Sequence, residues 1–177
     1  MLKLIFATTK YGHFGLSDGT LPWTHIPEDM AYFFRYTTGC IVVMGRATWE
    51  SLPSCKLPHR YCIVVASKEI KGKQPDCVVK NLTEARLKAH QVNSSAHIAV
   101  IGGRELLYEA AEIADEVSMS MVNLDVLKAP NWAGETATYY IDKNRIVDVA
   151  GLNGVTDYCT ELYSPNVLVT RITRGSI

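Results

Sequence analysis

The chain has 177 residues, 47% apolar and 20% charged, and its 18 Lys plus Arg balance 18 Asp plus Glu. That length fits one domain, spanning residues 1–177, with a sizeable core, and the balanced charge provides no basic field for nucleic acid or an anionic membrane. The five cysteines (Cys40, Cys55, Cys62, Cys77, Cys159) form no C-x-x-C pair, which argues against a disulfide framework or a zinc site and for reduced thiols in the cytoplasm.

The first predicted element is a strand over Leu2 to Ala7, apolar at nearly every residue and so covered on both faces. This start turns polar too soon for a signal peptide, and no run has the apolar length of a transmembrane helix. Residues Thr8 to Leu21 read as loop, with Gly12, Gly15 and Gly19 as breakers. A helix begins at Pro27, which suits the first helical position. Glu28 and Asp29 lie in its first turn, where the helix dipole favours negative charge. Met30, Phe33 and Phe34 form its expected apolar face, and Gly39 its C-terminal cap.

Cys40 to Met44 is a second buried strand ending in the turn Gly45-Arg46-Ala47-Thr48. Tyr61 to Ala66 is a third, ending in Ser67-Lys68, and Cys77 to Val79 a short fourth. Leu82 to Ala89 reads as a helix with Leu82, Ala85 and Leu87 inward. The strand His97 to Ile101 runs into Gly102-Gly103 and a helix over Arg104 to Ala114, with Leu106, Leu107, Ala110, Ala111 and Ile113 inward. Glu116 to Val122 alternates Val117, Met119 and Met121 against Ser118 and Ser120. After a loop from Asn123 to Gly134 come a short strand within Thr136 to Ile141 and a closing antiparallel pair, Tyr158 to Tyr163 with Val167 to Thr173. Strands alternating with helices imply an α/β fold with a mostly parallel sheet and helices on both faces. Ligands in such sheets bind beyond the carboxyl ends of the strands.

Three strand ends carry suggestive residues. Gly102-Gly103 opens a helix, whose free N–H groups suit a phosphate. Arg46 and Thr48 open another, and Ser67 with Lys68 could take a separate phosphate. Taken singly, each is an ordinary surface residue or tight turn, and Asp29 alone an ordinary first-turn acid. Together the three ends outline a diphosphate plus one further phosphate, as in NADPH. Neither G-x-G-x-x-G nor G-x-x-x-x-G-K-[ST] occurs, so an ordinary dinucleotide fold or phosphate loop is not supported. The five histidines lack ligand spacing, so no metal is expected. Arg60 offers a fork donor for a carboxylate.

Four stretches then fall in a recognisable order: Leu21-Pro22-Trp23 followed by Asp29 and Phe33; Val43 to Ser51; Leu57-Pro58-His59-Arg60; and Val100-Ile101-Gly102-Gly103. In these the chain strongly resembles dihydrofolate reductase, from residue 1 to about 122, and the runs Leu106 to Tyr108 and Ala114 to Val117 look like its phage-encoded branch. The resemblance implies a single-domain α/β fold whose central, mostly parallel eight-stranded sheet is flanked by four helices and closed by a C-terminal antiparallel hairpin. It implies NADPH-dependent reduction of 7,8-dihydrofolate, with hydride to C6 and a proton to N5, by a monomer whose partner is the small-molecule substrate, with no nucleic acid or membrane.

The resemblance also implies residue roles. Asp29 holds the pterin N3 and 2-amino group, Trp23 helps position a water, and Ser120 supports the carboxylate. Ile5, Met30, Phe33, Leu52 and Leu57 line the pterin and aminobenzoyl pocket, and Arg60 binds the α-carboxylate of the glutamate tail. Ala7, Leu21 and Ile101 frame the nicotinamide side of the cofactor. Gly45, Arg46, Ala47, Thr48, Gly102 and Gly103 meet its phosphates, across a cis Gly102–Gly103 peptide, and Ser67 and Lys68 meet the 2′-phosphate. A carboxylate among Met30, Phe33 and Leu52 is expected to have its pKa raised by desolvation. The chain departs from the family at Leu107, where many members have Tyr, with Tyr108 one residue later. It departs also in the loop from Gly12 to Leu21, for which Glu135 is a candidate partner, and at His59, which replaces the usual Gly. Two rivals follow: a pyrimidine reductase of riboflavin synthesis on the same fold, against which Trp23 and Asp29 argue, and a non-catalytic folate-binding structural protein.

Overall fold

The computed structural model describes residues 1–16, 20–23, 25–52, 57–123, 139–152 and 154–175. An eight-stranded sheet runs in the order β5-β4-β3-β6-β1-β7-β10-β9. Its strands are β1 (Leu2–Thr9), β3 (Ile41–Gly45), β4 (Tyr61–Val65), β5 (Cys77–Val79), β6 (Ile98–Val100), β7 (Glu116–Val122), β9 (Val155–Ser164) and β10 (Val167–Arg174). All pairings from β5 to β7 are parallel. β10 runs antiparallel to β7 and to β9, which gives the expected closing hairpin. The central strands β3 and β4 are Val- and Ile-rich with buried interiors, as strands covered on both faces must be.

Helices α1 (Pro27–Thr37) and α2 (Arg46–Ser51) contribute to the apolar clusters on one face of the sheet. Helices α3 (Leu82–Val92), α4 (Arg104–Ala111) and α5 (Lys143–Leu152) pack in the larger cluster on the other. The described residues thus carry five helices where four were expected. The unforeseen one is α5, which buries Ile146 and Ala150 and starts at Asp142, whose carboxylate accepts the Arg145 N–H at 3.1 Å. A second small sheet pairs β2 (His13–Gly15) with β8 (Tyr139–Tyr140), tying the loop after β1 to the segment before α5.

Local chemistry sets the element boundaries. Gly39 has φ of 75°, a left-handed conformation that ends α1 as expected. Asn81 caps α3 by accepting the Glu84 N–H at 2.8 Å, and Glu84 returns the bond to the Lys80 N–H at 2.9 Å. Two inward assignments are corrected: Leu87 and Ile113 are exposed, while α3 buries Leu82 and Ala85 as expected, with Ala89 in place of Leu87. Helix α1 also turns differently from its hydropathy. It buries Asp29, Tyr32 and Thr37, while Phe34 is 38% exposed and Met30 and Phe33 are half-buried.

Candidate active site

Two apolar clusters share one face of the sheet. One gathers Ile5, Trp23, Ile26, Tyr32, Val122, Val167 and Val169 beneath α1. The other gathers Val42, Met44, Trp49, Leu57, Cys62, Val64 and Ile70 beside α2. Phe33 and Ile101 pack against both, Ala7 against the first and Leu52 against the second. The clusters meet beside β6, which is inserted between β3 and β1: the chain runs from β1 through β3 and β4 to β5 on one side, then returns through β6 to β7 on the other. Such a reversal is where ligands enter an open α/β sheet. Residues expected to line a substrate pocket, Ile5, Phe33, Leu52 and Leu57, are thereby gathered from four separate parts of the chain. Half-buried Met30 follows Asp29 on α1.

Asp29 is only 8% exposed although it opens a helix. Burial raises its carboxyl pKa above the ordinary aspartate value, and a hydrogen bond from the Ser120 side chain partly opposes that shift. The direction is the one expected from its apolar neighbours. Ser120 comes from β7, where it pairs in register with Ala7 of β1, so the serine, the alanine and the buried acid meet on one sheet face. Trp23, 4% exposed, belongs to the same cluster.

At the next strand ends, two helix N-termini converge. Gly45 is the N-cap residue of α2 and Gly103 that of α4. The Gly45 N–H donates to the Gly102 carbonyl at 2.7 Å. A Cβ added at Gly45 would stand 3.2 Å from the Gly103 nitrogen, and one at Gly102 3.0 Å from the Thr48 hydroxyl. Gly102 also has φ of +143°, a conformation that side chains rarely adopt. The expected cis Gly102–Gly103 peptide is present. Bare backbone, the first N–H groups of two helices and the Thr48 hydroxyl therefore form a cradle of the kind that admits a diphosphate. Arg46 borders it and pairs with Glu50, both carboxylate oxygens lying 3.1 Å from its Nη1. Ala47 and Leu21 are exposed, and Ser67 and Lys68 stand exposed just beyond β4.

Arg60 is held from behind. Its Nε donates to the Thr37 hydroxyl at 2.9 Å and carbonyl at 3.3 Å, Nη1 to the Pro58 carbonyl at 2.9 Å, and Nη2 to the Phe34 carbonyl at 2.5 Å. These bonds cap the C-terminal end of α1 and fix the guanidinium plane against Phe34, whose ring centroid lies 5.1 Å away. A guanidinium has five N–H donors, so one on each terminal nitrogen stays available to a carboxylate. Thr37 was not foreseen as its anchor. Tyr108 packs against the cluster on the other face of the sheet: its hydroxyl accepts the Asp142 N–H at 2.7 Å, and Arg145 covers its ring. Glu135 and the middle of the 12–21 loop lie outside the described residues.

The family model for dihydrofolate reductase matches residues 1–147. A dihydrofolate reductase from Neisseria meningitidis serogroup A is 41% identical over 130 residues, covering 71% of this chain and 76% of that protein. The type 8 dihydrofolate reductase from Escherichia coli is 29% identical over 167 residues, covering 92% of each. Among solved structures, a dihydrofolate reductase from Enterococcus faecalis complexed with NADP(H) and RAB-propyl superposes with a TM-score of 0.71 at 23% identity, covering 99% of this chain and 97% of that one. The chain therefore belongs to the dihydrofolate reductase family.

Proposed function

We propose that this chain reduces 7,8-dihydrofolate to 5,6,7,8-tetrahydrofolate with NADPH, working as a cytoplasmic monomer on small molecules without nucleic-acid or membrane partners. The observation that carries the reading is the buried Asp29 carboxyl beside Ser120, on the helix whose Phe33 packs against both apolar clusters. NADPH, when bound, supplies the hydride that reaches C6 of the pterin.

The residues of the chain do the rest. Asp29 pairs with the adjacent N3 and 2-amino donors of the pterin and so fixes its orientation. Its raised pKa keeps a proton near the ring at higher pH than an exposed aspartate could, in support of protonation at N5. Ser120 holds the carboxyl in place, and Trp23 closes the cluster beside it. Ile5, Met30, Phe33, Leu52 and Leu57 surround the pterin and aminobenzoyl groups and keep water out. Arg60 offers its two spare N–H groups to the α-carboxylate of the glutamate tail. On the cofactor side, Ala7, Leu21 and Ile101 flank the nicotinamide. Gly45, Arg46, Ala47, Thr48, Gly102 and Gly103 hold the diphosphate, and Ser67 and Lys68 the 2′-phosphate.

The test is consumption of reduced nicotinamide in the presence of dihydrofolate. NADPH should support turnover well above NADH, and the Ser67→Ala/Lys68→Ala variant should narrow that preference by about 10-fold. Turnover only with a ribosylaminopyrimidine, or folate binding without turnover, would overturn the proposal.

A further inference from the structure

Three side chains of α1 meet three of β7 in sequence. Asp29 bonds Ser120. The Tyr32 hydroxyl lies 2.6 Å from that of Ser118. The Tyr36 hydroxyl donates to Glu116 Oε1 at 2.7 Å. Positions 29, 32 and 36 share one helix face, and 120, 118 and 116 share one strand face. The two sets run in opposite directions and span similar lengths, roughly 10 Å along the helix and roughly 13 Å along the strand. The tyrosine rings stack with centroids 5.6 Å apart, and Arg35 lies over the Tyr32 and Tyr163 rings.

A wholly apolar helix–sheet contact can slide, because any methyl packs against any other. This contact cannot: a shift of one helical turn, about 5.4 Å, would in one direction leave the buried Glu116 carboxylate without the Tyr36 hydroxyl, and in the other leave the Tyr36 hydroxyl without Glu116. We propose that the Tyr32–Ser118 and Tyr36–Glu116 pairs are positioning residues that fix where α1 lies along β7, and so hold the Asp29 carboxyl in the cleft. The proposal rests on the reading of Asp29 given above. Other charged groups facing the ladder are Lys3 of β1, over the Tyr36 ring, Arg171 of β10 and Glu161 of β9.

The test compares the intact protein with Tyr32→Phe/Tyr36→Phe, the milder Ser118→Ala, Glu116→Gln and Asp29→Asn. Four quantities are measured: kcat and KM for dihydrofolate across pH, NADPH affinity by fluorescence quenching, and Tm. The double variant should lose about 10- to 100-fold in kcat/KM for dihydrofolate, as small displacements of a reacting group do. Its NADPH affinity should stay within about twofold. The pH limb that Asp29→Asn abolishes should move toward the ordinary aspartate range, because a displaced carboxyl is more solvated. Ser118→Ala should shift both quantities in the same direction by less. Glu116→Gln keeps an acceptor for Tyr36 and should preserve the wild-type profile. A lowered Tm in the double variant with kcat/KM and the limb unmoved would overturn the ladder while leaving Asp29 in its role. A limb that persists in Asp29→Asn would overturn the reading of Asp29, and the ladder with it.

Discussion

Replacing Asp29 by Asn should make the protein more stable and nearly inactive. The carboxyl is 8% exposed, and burial raises its pKa above the usual aspartate value. A carboxyl whose folded pKa lies above its unfolded one binds more protons folded than unfolded, so stability falls as pH rises between the two values. At neutral pH the ionised form is already carrying that cost. Each unit of upward shift corresponds to about 1.4 kcal/mol. For a chain of this size each kcal/mol moves Tm by roughly 2–4 °C. Asn is nearly isosteric and can still accept a hydrogen bond from the Ser120 hydroxyl, but it has no charge to desolvate. Thermal melts of the ligand-free protein should place the variant a few degrees above wild type near neutral pH. The gap should shrink toward acid pH, where Asp29 is itself protonated. Turnover of dihydrofolate should fall at least ~100-fold, the usual scale for losing a proton-transfer group. A variant no more stable than wild type near neutrality, with no convergence at low pH, would refute the desolvation argument.

Two further substitutions separate binding from scaffold. Arg60→Lys replaces a fork whose plane is fixed by Thr37, Pro58 and Phe34 with a point charge. KM for dihydrofolate should rise about 10-fold with kcat nearly unchanged, while a dihydropterin lacking the glutamate tail should be insensitive to the change. Asn81→Ala removes the side chain that caps α3 on the far face of the sheet. It should cost about 1 kcal/mol, or roughly 2–4 °C in Tm, with kcat and both KM values unaltered in the same steady-state assay.

The strands were easy to read from the sequence because β3 and β4 are buried on both faces, which leaves continuous Val and Ile runs that no helix here imitates. The helix α5 was missed although Ile146, Val149 and Ala150 stand at i, i+3 and i+4, because only these few apolar positions mark it in a short segment. The available signal was Asp142 as an N-cap residue. On α1, hydropathy pointed to Met30, Phe33 and Phe34, whereas the buried face carries Asp29 and Tyr32. Hydropathy periodicity cannot find a face whose polar groups are satisfied by partners 86 and 80 positions away. The anchoring of Arg60 by Thr37 was hidden for the same reason, being a tertiary bond with no local signature. The strand-end glycines and Thr48, by contrast, lie in short contiguous motifs, and the structure brings them together.

Two unlike environments share one sheet: apolar clusters with the buried Asp29 carboxyl, and bare backbone at two helix starts. Their junction is Ile101, which packs against both apolar clusters and directly precedes Gly102-Gly103. The most direct test is the pH dependence of NADPH oxidation with dihydrofolate in wild type and Asp29→Asn. The account predicts turnover in wild type that declines as pH rises through a value above the ordinary aspartate range, with that decline absent from a nearly inactive variant. Absence of turnover in wild type, or an unchanged rate and pH profile in the variant, would contradict it.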